Sequence, residues 1–325
     1  MAALIAGLSA MLTFFLLPRL WARLPIDRGR QFAVDADKSL GKPVSAGVIL
    51  VGAFSATVLL LVPFQTMTVG FAALMALASF VGYLDDHRVG GLSQLALGIS
   101  DLVLSLAAAL LVAGFDTTEL WLPFYAGGVE APALLALPVT TGVIWLAINA
   151  MNCSDGVDGL SGTLAVVTLI GLAGLLYVVV GNVDVAGYLR IPHNPLGADW
   201  ALVAMAMIGC LFGYLWFNAP PSAVLMGDSG SRPIGLLIGT LVAATGNPAI
   251  LVICGSIILA NGATGLAKIL LIRLFRIRVL HNIRFPLHDH VRENSGWTGT
   301  QVLIRFSLLH IAITALLMML LLKVR

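Results

Sequence analysis

The stretch Asn149-Ala-Met-Asn152-Cys-Ser-Asp155-Gly156-Val-Asp158-Gly159-Leu-Ser161 decides the fold, because residues 131–148 before it and 163–180 after it carry no charge. Each flanking run is near the ~20 apolar residues that a bilayer crossing requires. An isolated ionised carboxylate in hydrocarbon is costly, so Asp155 and Asp158 must lie in water, in a polar cavity or against cations. Gly156 and Gly159 let the backbone turn tightly and approach a ligand. On a helical turn, acids three apart would share one face. Oxygens held that way suit a hard cation such as Mg²⁺, or donors on a polar ligand. A plain polar loop between two membrane helices is the competing reading.

Outward from this stretch, the 325 residues are 59% hydrophobic and only 10% charged, against about 25% charged in a soluble domain. The fold class is all-α: a polytopic membrane protein, expected as one domain over 1–325. Ten apolar spans fall near 2–20, 44–63, 67–84, 94–115, 131–150, 163–181, 200–217, 233–245, 248–270 and 301–322. The eighth is the shortest, and Gly239, Gly246 and Pro248 mark its far end. The first span lacks a basic leader, so it reads as a membrane helix and not a cleaved signal. Cys153, Cys210 and Cys254 make no metal spacing and no disulfide framework.

Orientation follows from Lys and Arg. With the amino terminus outside, the loops after odd-numbered spans are cytoplasmic. All of the 18 Lys and Arg then lie on the cytoplasmic side except Arg190, Lys323 and Arg325. Both termini are therefore expected outside. Asp85, Asp86, Asp155, Asp158, Asp228, Asp289, His87, His288 and His290 share the cytoplasmic face. Asp101 lies inside the fourth span, where an acid is either functional or a helix-end residue against a packed neighbour.

Four constellations gather on that face. The first is Gly82-Tyr-Leu-Asp85-Asp86-His-Arg-Val-Gly-Gly-Leu-Ser93, where adjacent acids diverge on a helix, one toward a metal or phosphate and one toward a base. The second is the opening stretch. The third is Asn218-Ala-Pro-Pro-Ser-Ala-Val-Leu225-Met-Gly-Asp228-Ser-Gly-Ser231, either a phosphate cradle or a capped helix start. The fourth is Arg284-Phe-Pro-Leu-His288-Asp289-His290-Val-Arg292. Its imidazoles suit phosphate, a metal-bound water or a proton shuttle, and its arginines suit a diphosphate. Headgroup contact would also account for the basic residues. As a set, the four suit Mg²⁺-assisted phosphoryl transfer between a soluble diphosphate and a lipid phosphate.

At these residues the chain resembles the polyprenyl-phosphate N-acetylhexosamine-1-phosphate transferase superfamily, and within it the phospho-MurNAc-pentapeptide translocase (MraY) family. Asn149 to Leu160 is similar to the motif NxxDGxDGL, Phe217 to Ser231 to FNAxPAxxFMGDxGS, and Asp85-Asp86 with Gly91-Leu-Ser93 to the family's DD and GLS. Pro286-Leu-His-Asp-His, Gly296-Trp297 and Gln301 to Phe306 resemble its PxHHHxE, GW and QVVxRF ending, and Leu-Lys-Val-Arg325 its terminus. The resemblance implies Mg²⁺ as cofactor, UDP-MurNAc-pentapeptide and undecaprenyl phosphate as substrates, and lipid I and UMP as products. It implies Asp228 and Asp85 as metal ligands, and Asp85, Asp86, Asp155, Asp228, His288 and His290 as catalytic residues. Asn152, Gly156, Asp158, Asn218, Leu225 and Lys42 are the implied substrate-binding positions. It also implies a bacterial cytoplasmic membrane setting among membrane lipid, with no nucleic-acid partner and a homodimer left open.

Several positions depart from the pattern. The middle histidine is Asp289, the aromatic before Met-Gly-Asp is Leu225, and two expected lysines fall at Val89 and Leu97. The KxGTPTMGG pattern appears only as Leu40-Gly-Lys42-Pro-Val-Ser-Ala-Gly47, where Lys42 stands in for a lost charge. A UDP-GlcNAc:undecaprenyl-phosphate GlcNAc-1-phosphate transferase is therefore the first alternative. An ion-coupled secondary transporter is the second, disfavoured by the absence of an internal repeat and by acids clustered at one face.

Overall fold

The computed structural model describes all residues except 30–33, 35–38, 115, 116, 124, 126, 281, 324 and 325. Arg30, Lys38 and Arg325, counted above among the basic residues, lie outside the described residues. All ten expected spans form helices. They are α1 (Ala2–Leu20), α2 (Gly47–Leu61), α3 (Thr66–His87), α4 (Gln94–Ala113), α5 (Ala133–Cys153) and α6 (Leu160–Gly174), which continues as a π-helical segment, Leu175–Val180. After the short α7 (Val183–Leu189) come α8 (Gly197–Asn218) and α9 (Asp228–Ala244). The ninth span is a broken rod of α10 (Ile250–Cys254), α11 (Ser256–Ile258), a π-helical turn Leu259–Ala263, α12 (Thr264–Leu270) and a second π-helical segment Leu271–Phe275. A short α13 (Leu287–Ser295) precedes α14 (Gly299–Lys323). Among the described residues, eight helices are long and apolar enough to cross a membrane; α2 and α9 are shorter.

The chain is not wholly helical. Strands β1 (Thr118–Trp121) and β2 (Gly128–Ala131) form an antiparallel hairpin. The buried Trp121 donates its indole N–H to the Thr245 carbonyl at 2.7 Å, tying the hairpin to the carboxyl end of α9.

The shortest expected span turns out to be the centre of the bundle. Nearly every residue of α9 is buried, and it packs against α2, α3, α4 and α5. A helix enclosed by protein is apolar all round without meeting lipid, and it tolerates charges that lipid would not. Arg232, counted above with the cytoplasmic loops, is inside this helix and buried. The closest helix pairing in the bundle's other half is α1 on α8. Gly209 and Gly213 bring the α8 backbone against Ala6 and Ala10, and a Cβ at Gly213 would sit 2.6 Å from the Ala10 carbonyl oxygen. Without a hydrophobic drive between helices in lipid, close approach of small residues supplies the attraction.

Candidate functional site

The amino end of α9 is the anchor of the site. Gly227 precedes it at φ +71°, a backbone region that suits glycine. The helix start is capped, one of the two readings of this stretch, but not by a side chain of its own. The cap comes from α3. Asp86 accepts from the Asp228 N–H (3.0 Å) with one oxygen, and from the Ser229 N–H (3.3 Å) and the Ser45 hydroxyl (2.6 Å) with the other. A carboxylate at a helix amino terminus meets both the orphan N–H groups and the positive end of the dipole. One of the two adjacent acids was expected to face a base; Asp86 takes two backbone N–H groups and a hydroxyl.

Its neighbour Asp85 turns the other way and accepts from the Leu92 N–H at 2.6 Å, pinning the Gly-Leu-Ser turn. Even so, one oxygen from each of Asp85, Asp86 and Asp228 lies within 4.8 Å of the others. Three carboxylates this close repel one another, and all-oxygen donors match a hard divalent cation. The donor set therefore fits the metal that the resemblance implied.

Asp228 is held from behind. Arg232, one turn along α9, donates its Nε to Asp228 at 2.9 Å and its Nη1 to Asp101 of α4 at 2.6 Å. All three side chains are buried. This resolves the intramembrane acid: Asp101 faces a packed neighbour, and that neighbour is a cation bonded to the candidate metal ligand. Leu97, where a lysine was expected, lies one turn before Asp101 on the same helix.

The Asp155–Asp158 stretch is not a helical turn. Residues 154–159 form a non-helical turn between α5 and α6, so the two acids take different partners. Asp155 accepts from the Ser161 hydroxyl at 2.6 Å. Asp158 accepts from the Ser222 N–H (2.9 Å) and hydroxyl (2.8 Å), and lies 3.7 Å from Lys42 Nζ. Lys42 also donates to Ser222 at 3.0 Å. Asn218 is buried and spans the two loops, accepting from the Gly159 N–H (2.8 Å) and donating to the Val224 carbonyl (2.8 Å). These bonds weld the two loops together. Asn152 at the end of α5 donates to Ser231 of α9 at 3.0 Å. Leu225 is half-buried, and its backbone pairs with the Lys42–Gly47 segment through Pro43 and Ala46.

The histidine segment closes one side. His288 is buried, and its Nε2 lies so close to Gly156 that no Cβ would fit there. Its backbone N–H and ring Nδ1 both meet Asn261 Oδ1, at 2.9 and 3.1 Å. Sequence reading missed Asn261; its only signal is a polar side chain inside the ninth apolar run. His290 instead folds back on its own segment, where Nδ1 meets the Arg284 N–H (3.3 Å) and the Asn294 amide (2.8 Å). Asp289 is buried between Arg292 (3.6 Å) and Arg284 (4.0 Å). Burial raises its carboxyl above the ordinary range, and the two arginines pull it partly back. Those arginines therefore brace Asp289, and Arg284 also holds Glu293 at 2.6 Å.

A membrane bundle that gathers hard oxygen donors and loops rich in hydrogen-bonding groups at one end belongs to the class of integral-membrane transferases that handle phosphate esters. A model of glycosyl transferase family 4 matches residues 68–246. The chain is 42% identical over 326 residues to the phospho-N-acetylmuramoyl-pentapeptide-transferase of Treponema pallidum subsp. pallidum, covering 99% of this chain and 89% of the relative. The protein of the same name from the Nichols strain of Treponema pallidum matches to the same extent. The chain belongs to glycosyl transferase family 4, among the phospho-N-acetylmuramoyl-pentapeptide transferases.

Proposed function

We infer that this chain transfers phospho-MurNAc-pentapeptide from UDP-MurNAc-pentapeptide to undecaprenyl phosphate in the bacterial cytoplasmic membrane, releasing UMP and forming lipid I for peptidoglycan synthesis. The observation that carries this reading is the near-full-length match to two relatives of that name, over a site whose acids converge at one end of the bundle. The whole chain acts as one domain.

Asp228, Asp85 and Asp86 would hold Mg²⁺, which supplies charge neutralisation for the diphosphate and the entering phosphate. Asp86 fixes the start of α9, and Arg232 fixes the Asp228 carboxylate. Asp155 and Asp158 order the loop that faces the nucleotide diphosphate, with Lys42 as the nearby cation. His288 lies against that loop at Gly156, and His290 follows it on α13. With Leu225 in place of an aromatic ring, uracil would be held by polar contacts and apolar burial and not by stacking.

The test uses membrane vesicles, since nucleotide sugars do not cross lipid. Inside-out vesicles supplied with Mg²⁺ and undecaprenyl phosphate should release UMP from UDP-MurNAc-pentapeptide and far less from UDP-GlcNAc. Right-side-out vesicles should release none, because the charge asymmetry puts the site in the cytoplasm and both termini outside. Preference for UDP-GlcNAc would move the chain to the related GlcNAc-1-phosphate transferases, and release from right-side-out vesicles would overturn the orientation.

A further inference from the structure

The ninth span interrupts its α-helix with a π-helical turn at Leu259–Ala263. Such turns cost regular hydrogen bonding and recur at functional sites. This one is keyed into the end of α5. Gly262 packs on the Ala150 backbone, with a Cβ there only 2.9 Å from Ala150 Cα, and Ser154 bonds the carbonyls of Ala150 (2.9 Å) and Ile258 (3.5 Å). Ser154 is also the residue before Asp155. The π-turn and the Asp155–Asp158 loop are therefore two parts of one packed unit, and the His288 ring lies between them.

Asn261 sits in the π-turn, fully buried. The His288 backbone N–H points at its side chain at 2.9 Å, and only the amide oxygen can accept that bond. The same oxygen meets His288 Nδ1 at 3.1 Å. An oxygen that only accepts requires Nδ1 to carry hydrogen. The neutral ring is thereby fixed in one tautomer, with Nε2 against Gly156 and 3.7 Å from Asp289. The Asn261 amide nitrogen is buried with no acceptor among the described residues. A leucine would fill the space without that orphan donor, so packing alone does not account for an asparagine here.

We propose that Asn261 is a positioning residue of the transfer reaction, fixing the Nδ1–H tautomer and the orientation of His288 against the Asp155–Asp158 loop. The proposal rests on the transferase reading above. It concerns how His288 is held, and Asn261 itself touches no substrate.

The test joins a spectrum to kinetics. In protein labelled with ¹⁵N-histidine, the His288 signal is assigned by its loss in His288→Gln. It should show the Nδ1–H form in the parent and in Asn261→Asp, and lose that preference in Asn261→Leu. Turnover of UMP release should fall about tenfold or more in Asn261→Leu, as loss of a well-placed active-site group does, with KM for both substrates little changed. Asn261→Leu combined with His288→Ala should be no slower than His288→Ala alone, because the two act as one unit. Asn261→Asp should keep most of the turnover and shift the acidic limb of the turnover–pH profile upward, since a carboxylate stabilises the imidazolium. An unchanged tautomer in Asn261→Leu, or losses that multiply in the double variant, would overturn the proposal. If the parent released no UMP, the transferase reading would fall, while the spectrum would still decide whether Asn261 governs the ring.

Discussion

The two sides of the site are built in opposite ways. On the carboxylate side, Asp85, Asp86, Asp101, Asp228 and Arg232 all stand on long helices, and the last three are buried in the bundle. Helix α9 receives its cap from α3 and its counter-ion from α4, so three helices determine one cluster. On the histidine side, His288, Asp289 and His290 stand on the nine-residue α13, flanked by half-buried residues and held by two asparagines and two arginines. The first arrangement suits a task in which atoms must not move, such as holding a metal. The second suits a segment that shifts as a substrate enters, since elements with few buried contacts open most easily.

The contrast predicts a stability difference before any difference in rate. Arg232→Met removes the guanidinium that two buried carboxylates, Asp101 and Asp228, share. Breaking a buried pair in this way costs about 3–5 kcal/mol. Thermal unfolding in detergent should show a large drop for Arg232→Met. Asp101→Leu combined with Arg232→Met should regain part of it, since position 101 then no longer needs a counter-ion. A double variant as unstable as the single would mean that the pair does not carry the packing of α4 on α9.

On the other side the expected losses are in turnover. His288 is buried against Gly156, whereas His290 is half-exposed and bonded to its own segment. If position and not charge alone matters, His288→Lys should lose about 10²–10³ in UMP release, the usual cost of a misplaced active-site group. His290→Lys should lose about tenfold, near the lower edge of such effects. Full activity in both would reduce the segment to a headgroup contact. The smallest effect should come from Asp289→Asn. Its arginine contacts are long, at 3.6 and 4.0 Å, and burial already disfavours its charge. UMP release should stay within about fivefold of the parent, a barrier change of no more than about 1 kcal/mol. A larger loss would show that Asp289 does more than brace its two arginines.

Much of this was legible in the residues. Long, nearly charge-free apolar runs read as membrane helices, so all ten helices were found. Asp85, Asp86, Asp155, Asp158 and Asp228 stand where apolar runs end or begin, so the constellation was legible with them. What stayed hidden depended on partners far apart in sequence. Periodicity does not distinguish a helix facing lipid from one enclosed by protein, so α9 read as a short span and not as the core. Arg232 read as a loop charge because its two carboxylate partners, above all Asp101, 131 positions earlier, are brought to it only by packing. The part of Asp86 as a cap stayed hidden because capping from another helix leaves no local pattern. The loop-joining bonds of Asn218 and the pairing of the Leu225 backbone with the segment before α2 likewise depend on partners that no local pattern reveals.

The central claim is that the divalent cation belongs to the carboxylate side and not to the histidines. Mn²⁺ binding to purified protein, followed by electron paramagnetic resonance without substrates, tests it most directly. The parent and His288→Ala should bind Mn²⁺ with similar affinity, and Asp228→Asn should bind it at least about tenfold more weakly, since a hard cation loses a charged oxygen ligand. Undiminished binding in Asp228→Asn, or binding abolished in His288→Ala, would contradict the account.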